Sequence, residues 1–179
     1  MRICTVPRAA TQIGFNGADM GIEIERKFLI IDDGWRAAAN NGRHIRQAYL
    51  ASSSVSTVRI RITDETRARL TIKSGFRGFE RDEFEYDVPL KDAQAMLELR
   101  QSGIIEKVRY EVMHTCMRWE VDVFEGENAG LTLAEIELDD ADTELSLPSW
   151  VGSEVSGDAR FQNSALAAVP FATWRTGVK

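Results

Sequence analysis

From residue 22 onward the chain alternates apolar and polar positions with a period of two, segment after segment. Successive side chains of a strand point to opposite faces, so this spacing predicts strands at 22–31, 44–51, 56–63, 67–74, 79–88, 105–114, 117–124 and 131–139. These segments are rich in Val, Ile, Thr and aromatic residues, and short polar or glycine-containing connections separate them. The period changes before the sixth strand. There Pro89 opens a segment in which Ala93, Met96, Leu97 and Arg100 share one helical face and Gly103 follows the end, which predicts a helix over 90–101. Shorter helices are expected near 34–40 and 163–169, the latter with Asn163 or Ser164 as N-cap. The expected fold is α+β: an antiparallel meander whose eight strands suffice to close a barrel, with helices packed outside.

The polar faces are almost purely charged. Glu23, Glu25 and Lys27 share a face, opposite Ile22, Ile24 and Phe28. Arg59 and Arg61 alternate with Val58, Ile60 and Ile62, while Lys107 and Arg109 alternate with Val108, Tyr110 and Val112. Arg81, Glu83 and Glu85, then Glu120 and Asp122, then Glu135 and Glu137 continue the theme. Two arrangements fit. Charged strand faces are usually a solvated exterior around an apolar interior. The alternative turns the barrel inside out, with apolar faces under helices and charges lining a wet cavity.

Like charges two residues apart favour the second. Neighbours on one strand face repel, yet Glu23/Glu25, Arg59/Arg61, Lys107/Arg109 and Glu135/Glu137 are all such pairs. A counter-charged ligand is a reason to keep them, and an eight-stranded barrel can hold one small ligand. Arg and Lys bind phosphate oxygens. Carboxylates without Cys or His select hard cations such as Mg²⁺ or Mn²⁺. Together they describe a metal-dependent polyphosphate site. The expected orientation places Arg59, Arg61, Lys107 and Arg109 inside, with Val58, Ile60, Val108 and Tyr110 outside and partly covered by the 90–101 helix.

Composition narrows the classes. The 179 residues fit one domain, and 22 basic against 28 acidic residues give a net charge of −6. That balance argues against a nucleic-acid binder, which needs basic surface to displace counterions. No apolar run is long enough for a membrane helix, and the two cysteines, Cys4 and Cys116, are too few for a disulfide scaffold, so a cytoplasmic protein is expected. Residues 1–20 have no periodic pattern and are expected to be an extension, or the product of a start upstream of Met20. The domain is expected to span 21–170, with a tail at 171–179. Neither His44 nor His114 has the neighbours that would make it a ligand or base.

The run Glu23-Ile24-Glu25-Arg26-Lys27-Phe28 resembles the ExExK signature of the CYTH superfamily, the triphosphate tunnel metalloenzymes. Gln47-Ala48-Tyr49-Leu50, Arg59-Ile60-Arg61, Thr71-Ile72-Lys73, Arg81–Glu85, Lys107-Val108-Arg109, Glu120-Val121-Asp122 and Glu135-Ile136-Glu137 follow in the family's order. A closing Arg160–Leu166 segment is similar to that of short bacterial members. The resemblance spans residues 21–170 and implies a charged antiparallel tunnel acting on a triphosphate with a divalent metal, Mg²⁺ or Mn²⁺. It implies Glu23, Glu25, Asp122, Glu135 and Glu137 as metal ligands, with Glu120 in support, and Lys27, Arg59, Arg61, Lys73, Lys107 and Arg109 as phosphate binders. Glu23, Glu25 and Lys27 carry the catalytic signature, and Arg160 is the basic residue nearest the position expected to contact substrate from the C-terminal helix.

The implied reaction is hydrolysis of inorganic tripolyphosphate or a related triphosphate, releasing orthophosphate. Alternatives are a class IV adenylyl cyclase, a thiamine triphosphatase, or a non-catalytic polyphosphate- or nucleotide-binding module. The last would suit a chain that had lost its acidic pairs, and both pairs persist here. The expected partner is a small triphosphate, not nucleic acid or membrane; the oligomeric state is left open, a homodimer among the options.

Overall fold

The computed structural model describes residues 24–75, 82–138, 140 and 142–174. Glu23, Arg81 and the expected extension at 1–20 lie outside the described residues. Strands β1 (Ile24–Ile30), β2 (Arg43–Ser52), β3 (Ser56–Thr63), β4 (Arg67–Ser74) and β5 (Glu83–Asp87) precede helix α1 (Leu90–Leu97). Then come β6 (Ile105–His114), β7 (Met117–Phe124), β8 (Thr132–Leu138), β9 (Val151–Glu154) and helix α2 (Asn163–Ala168). All strands join one antiparallel sheet in the order β5-β4-β3-β2-β6-β7-β8-β1-β9. Among the described residues no helix is long and apolar enough to cross a membrane.

The eight expected strands are present, and a ninth was missed. The stretch Val151-Gly152-Ser153-Glu154 has no alternating pattern of its own; it becomes a strand by pairing with β1, Phe28 opposite Glu154 and Ile30 opposite Val151. Closure is the larger correction. Among the described residues β5 and β9 are free edges, so the sheet curls around a cavity without a complete ring of backbone hydrogen bonds.

Cross-strand partners share a face, and the register therefore sorts the side chains. Inward partners include Lys27↔Glu135, Glu25↔Glu137, Gln47↔Arg61, Lys73↔Glu83 and Arg109↔Asp122. Outward, α1 lays Ala93 and Leu97 on Ala48, Ile60, Ile62 and Ala68. The helix covers less of the exterior than expected. Behind β6 to β8 and β1 the apolar face is capped instead by Trp35, from a 3₁₀ turn at Asp33–Ala38, and by Trp150. Trp35 packs against Tyr110 at 5.1 Å between ring centroids, and Trp150 meets Trp119 edge-on at 5.7 Å.

The interior is also not charged throughout. At one end Tyr49, Ile105, Phe124, Leu131 and Leu133 face inward and pack on Phe161, Leu166 and Ala167. The C-terminal segment is thus an apolar plug. Gln162, not Asn163 or Ser164, caps α2, and it does so without a side-chain hydrogen bond. The expected tail contributes too: the Phe171 N–H donates to Asn128 Oδ1 at 2.8 Å, and Trp174 packs on Phe161 and Phe171.

Candidate active site

Above the plug the charged half of the interior encloses a cavity of about 750 Å³. One wall, from β3, β4 and β5, presents Arg59, Arg61, Arg69, Lys73, Glu83 and Glu85. The facing wall, from β1, β6, β7 and β8, presents Glu25, Lys27, Arg109, Glu120, Glu135 and Glu137. Strand alternation brings each set to one face, and curling of the sheet turns the two faces toward each other.

The second wall is a continuous ion-pair network. Lys27 Nζ donates to Glu25 at 2.7 Å and also to Glu135. Arg109 donates to Asp122 at 2.7 and 2.6 Å, and further to Glu120 and Glu135. Burial and the neighbouring Glu135 push the Glu25 carboxyl up to about 7, against the pull of Lys27. Burial opposes the charge of Lys27, but Glu135 and Glu25 outweigh it and hold the ammonium above its ordinary range.

The first wall is held differently. Arg59 donates to the Thr71 hydroxyl at 3.0 Å, which donates onward to Glu85 at 2.9 Å. Arg69 anchors the other oxygen of Glu85 at 2.6 Å. Burial works against ionisation of Glu85, but Thr71, Arg69 and Arg59 outweigh it and keep the carboxyl below its usual range. Arg61 donates Nε to Gln47 Oε1 at 3.1 Å. Burial, with Arg59 and Arg109 nearby, pushes the Arg61 guanidinium down to about 9.

Among the described residues, most of those expected at the site converge on the cavity, and Lys107, Asp122 and Arg160 do not line it. Lys107 and Asp122 are fully buried, bound to each other behind the wall. Burial and Arg109 push Lys107 down to about 8 despite Asp122. Asp122 accepts from both Lys107 and Arg109. Arg160 is exposed, paired with Asp158 and stacked over Trp174 at 5.3 Å, and it does not line the cavity; Gln162 does. The short turn ending at Phe161 directs the arginine outward while its neighbour enters the plug. Thr71, Arg69 and Gln47 were not expected at the site. Thr71 is legible in retrospect, two residues before Lys73 on the same face; Gln47 becomes visible only from its register opposite Arg61.

Carboxylate oxygens line both walls, but Glu83 and Glu85 on the first are engaged by Lys73, Arg69 and Thr71, and the denser carboxylate cluster is on the second. Glu25 opposes Glu137 across β1 and β8, and Glu120 opposes Glu135 across β7 and β8. These clustered carboxylates, one of them pushed toward protonation by burial and by its neighbour, suit a hard ion such as Mg²⁺ or Mn²⁺. No three acidic, His or Cys side chains among the described residues are already gathered as a metal cage.

The paired charges and both charged walls of the cavity lie within residues 21–162, which the CYTH domain matches. The chain belongs to the CYTH family. A CYTH relative from Acetivibrio thermocellus, named inorganic triphosphatase, is 40% identical over 157 residues, covering 87% of this chain and 99% of the relative. Another with the same name, from Nitrosomonas europaea, is 33% identical over 151 residues, covering 81% and 96%. The crystal structure of the inorganic triphosphatase NE1496 superposes with a TM-score of 0.61 at 31% identity, over 83% of this chain and 95% of that one.

Proposed function

We propose that this CYTH protein hydrolyses inorganic tripolyphosphate, releasing orthophosphate, with Mg²⁺ or Mn²⁺ as cofactor. One observation carries the reading: a single cavity sets Arg59, Arg61 and Lys73 on one wall against a carboxylate cluster on the other. A polyanion needs the cations; a divalent ion needs the carboxylates. The names of the two relatives and of the superposed structure support the same reaction.

Glu25, Glu135 and Glu137 would hold the ion, with Glu120 beside them. Such an ion supplies charge neutralisation on the phosphate and a more acidic water. The chain's own residues do the rest. Arg59, Arg61, Lys73 and Arg109 bind and align the phosphate chain, and Lys27 holds Glu25 and Glu135 in place. Phosphoryl transfer leaves little covalent work to the protein, so positioning and electrostatics supply most of the rate. Lys107 and Asp122 act from behind, fixing Arg109. The enzyme is read as cytoplasmic, acting on a free small molecule.

The test is phosphate release and product chromatography with tripolyphosphate, ATP and thiamine triphosphate, each with Mg²⁺ and with Mn²⁺. Tripolyphosphate should give the highest kcat/KM, with pyrophosphate and orthophosphate as products. Cyclic AMP as the main product from ATP would replace this reading with a cyclase, and preferred cleavage of thiamine triphosphate would reassign the substrate.

A further inference from the structure

Arg61 differs from the other arginines of the cavity in having no carboxylate within ion-pair distance among the described residues. Arg109 has three such partners, and Arg59 lies 3.7 Å from Glu85. Its one hydrogen-bond partner is the amide oxygen of Gln47, directly opposite on β2. Arginine only donates, so the amide must turn its oxygen toward Arg61 and its NH₂ away. That NH₂ is buried and has no acceptor. A buried unpaired donor is costly and calls for a reason.

Glutamate would seem the better residue for the empty fold. It has the same shape, lacks the orphaned donor, and would pair the buried guanidinium. It would also cancel the charge. Burial first, and then Arg59 and Arg109, lower the proton affinity of Arg61, and the more distant Asp122 and Glu85 offset this only in part. We infer that Gln47 is a positioning residue that aims the Arg61 guanidinium into the cavity through a neutral acceptor, reserving its full charge for a triphosphate oxygen. Gln47 does not itself line the cavity, so it acts through Arg61. The inference rests on the triphosphate reading of the site and identifies where on its walls the anion is held most strongly.

Metal-free tripolyphosphate binding by calorimetry, with thermal melts of the empty proteins, separates this role from a packing role. Gln47→Glu should weaken binding at least tenfold while the empty protein melts at the same temperature or higher. A packing role gives the reverse: lowered melting and unchanged affinity. In an Arg61→Ala background the Gln47→Glu penalty should shrink to about twofold or less. Folded Gln47→Glu that binds within twofold of wild type overturns the inference and leaves the triphosphate reading intact. Wild-type protein that binds no tripolyphosphate overturns both. If Gln47→Glu does not fold, Gln47→Met carries the test: it should weaken binding at least threefold with Arg61 present and not in the Arg61→Ala background. Equal losses in the two backgrounds overturn the assignment.

Discussion

Carboxylates and guanidinium groups within one cavity have opposite jobs, and single substitutions should separate them. Glu137→Ala removes a metal-holding oxygen and should lower metal-dependent turnover at least a hundredfold, while metal-free tripolyphosphate binding survives or tightens because a negative charge has left an anion site. Arg61→Ala removes a charge-assisted hydrogen bond, a contact of about 1.5–3 kcal/mol, and should weaken that binding tenfold or more. Turnover and calorimetry on the two variants side by side check both. Glu25 adds a pH signature. Its carboxyl is raised from 4.5 to about 7 in the folded protein by burial and Glu135. The contribution of this group to stability is therefore complete below about pH 4.5 and lost as pH rises through about 7. Metal-free Glu25→Gln should melt like wild type near pH 4.5 and gain over it by pH 8, by about 1–3 kcal/mol. A gap that stays constant with pH would refute the raised titration of Glu25 by burial and Glu135. Arg160→Ala, by contrast, should leave kcat/KM within twofold, because its guanidinium is exposed, held by Asp158 and Trp174, and does not line the cavity.

Elements matter here through the surfaces they cover. Alternation in β3 and β6 sends one set of side chains to the interior and the other to α1 or to Trp35. The plug is the least conventional element. Helix α2 has only six residues and no side-chain cap, so packing holds it. Leu166 is fully buried against the inward apolar patch of β2, β6 and β8. Leu166→Ala should destabilise the protein by about 2–5 kcal/mol, read from denaturant unfolding. The plug also lies beside the phosphate walls, since Gln162, Asn163 and Ser164 line the cavity. The same variant should therefore raise KM for tripolyphosphate more than it lowers kcat.

For the whole molecule, the main electrostatic fact is that like charges are confined together without ligand. Arg59 and Arg109 add to burial in opposing the charge of Arg61, and Glu135 adds to burial in opposing that of Glu25. Ligand should therefore stabilise the fold strongly. Binding to the folded state alone contributes about 2.7 kcal/mol at a hundredfold excess over Kd. A thermal melt with saturating tripolyphosphate and Mn²⁺ should show a rise of several degrees, and an unmoved Tm would remove the ligand-driven account of the paired charges.

What the sequence determined by itself is whatever depends on local alternation. A period of two places Arg59 with Arg61, and Glu135 with Glu137, on one face whatever the strand pairs with, and the inside-out arrangement follows from the charge of those faces. The tertiary structure decided the rest, because it depends on partners distant in the chain. β9 exists through its pairing with β1, and among the described residues β5 and β9 stand at the two edges of a curled sheet rather than closing a ring. The fate of each charged residue also hangs on its depth along the inner face. Lys107 and Asp122 carry the same alternation as Arg109 and Glu120, yet they fall where the apolar plug seals the interior and bind each other there. Periodicity specifies a face. Only register and packing specify how far along that face water, substrate and metal can reach.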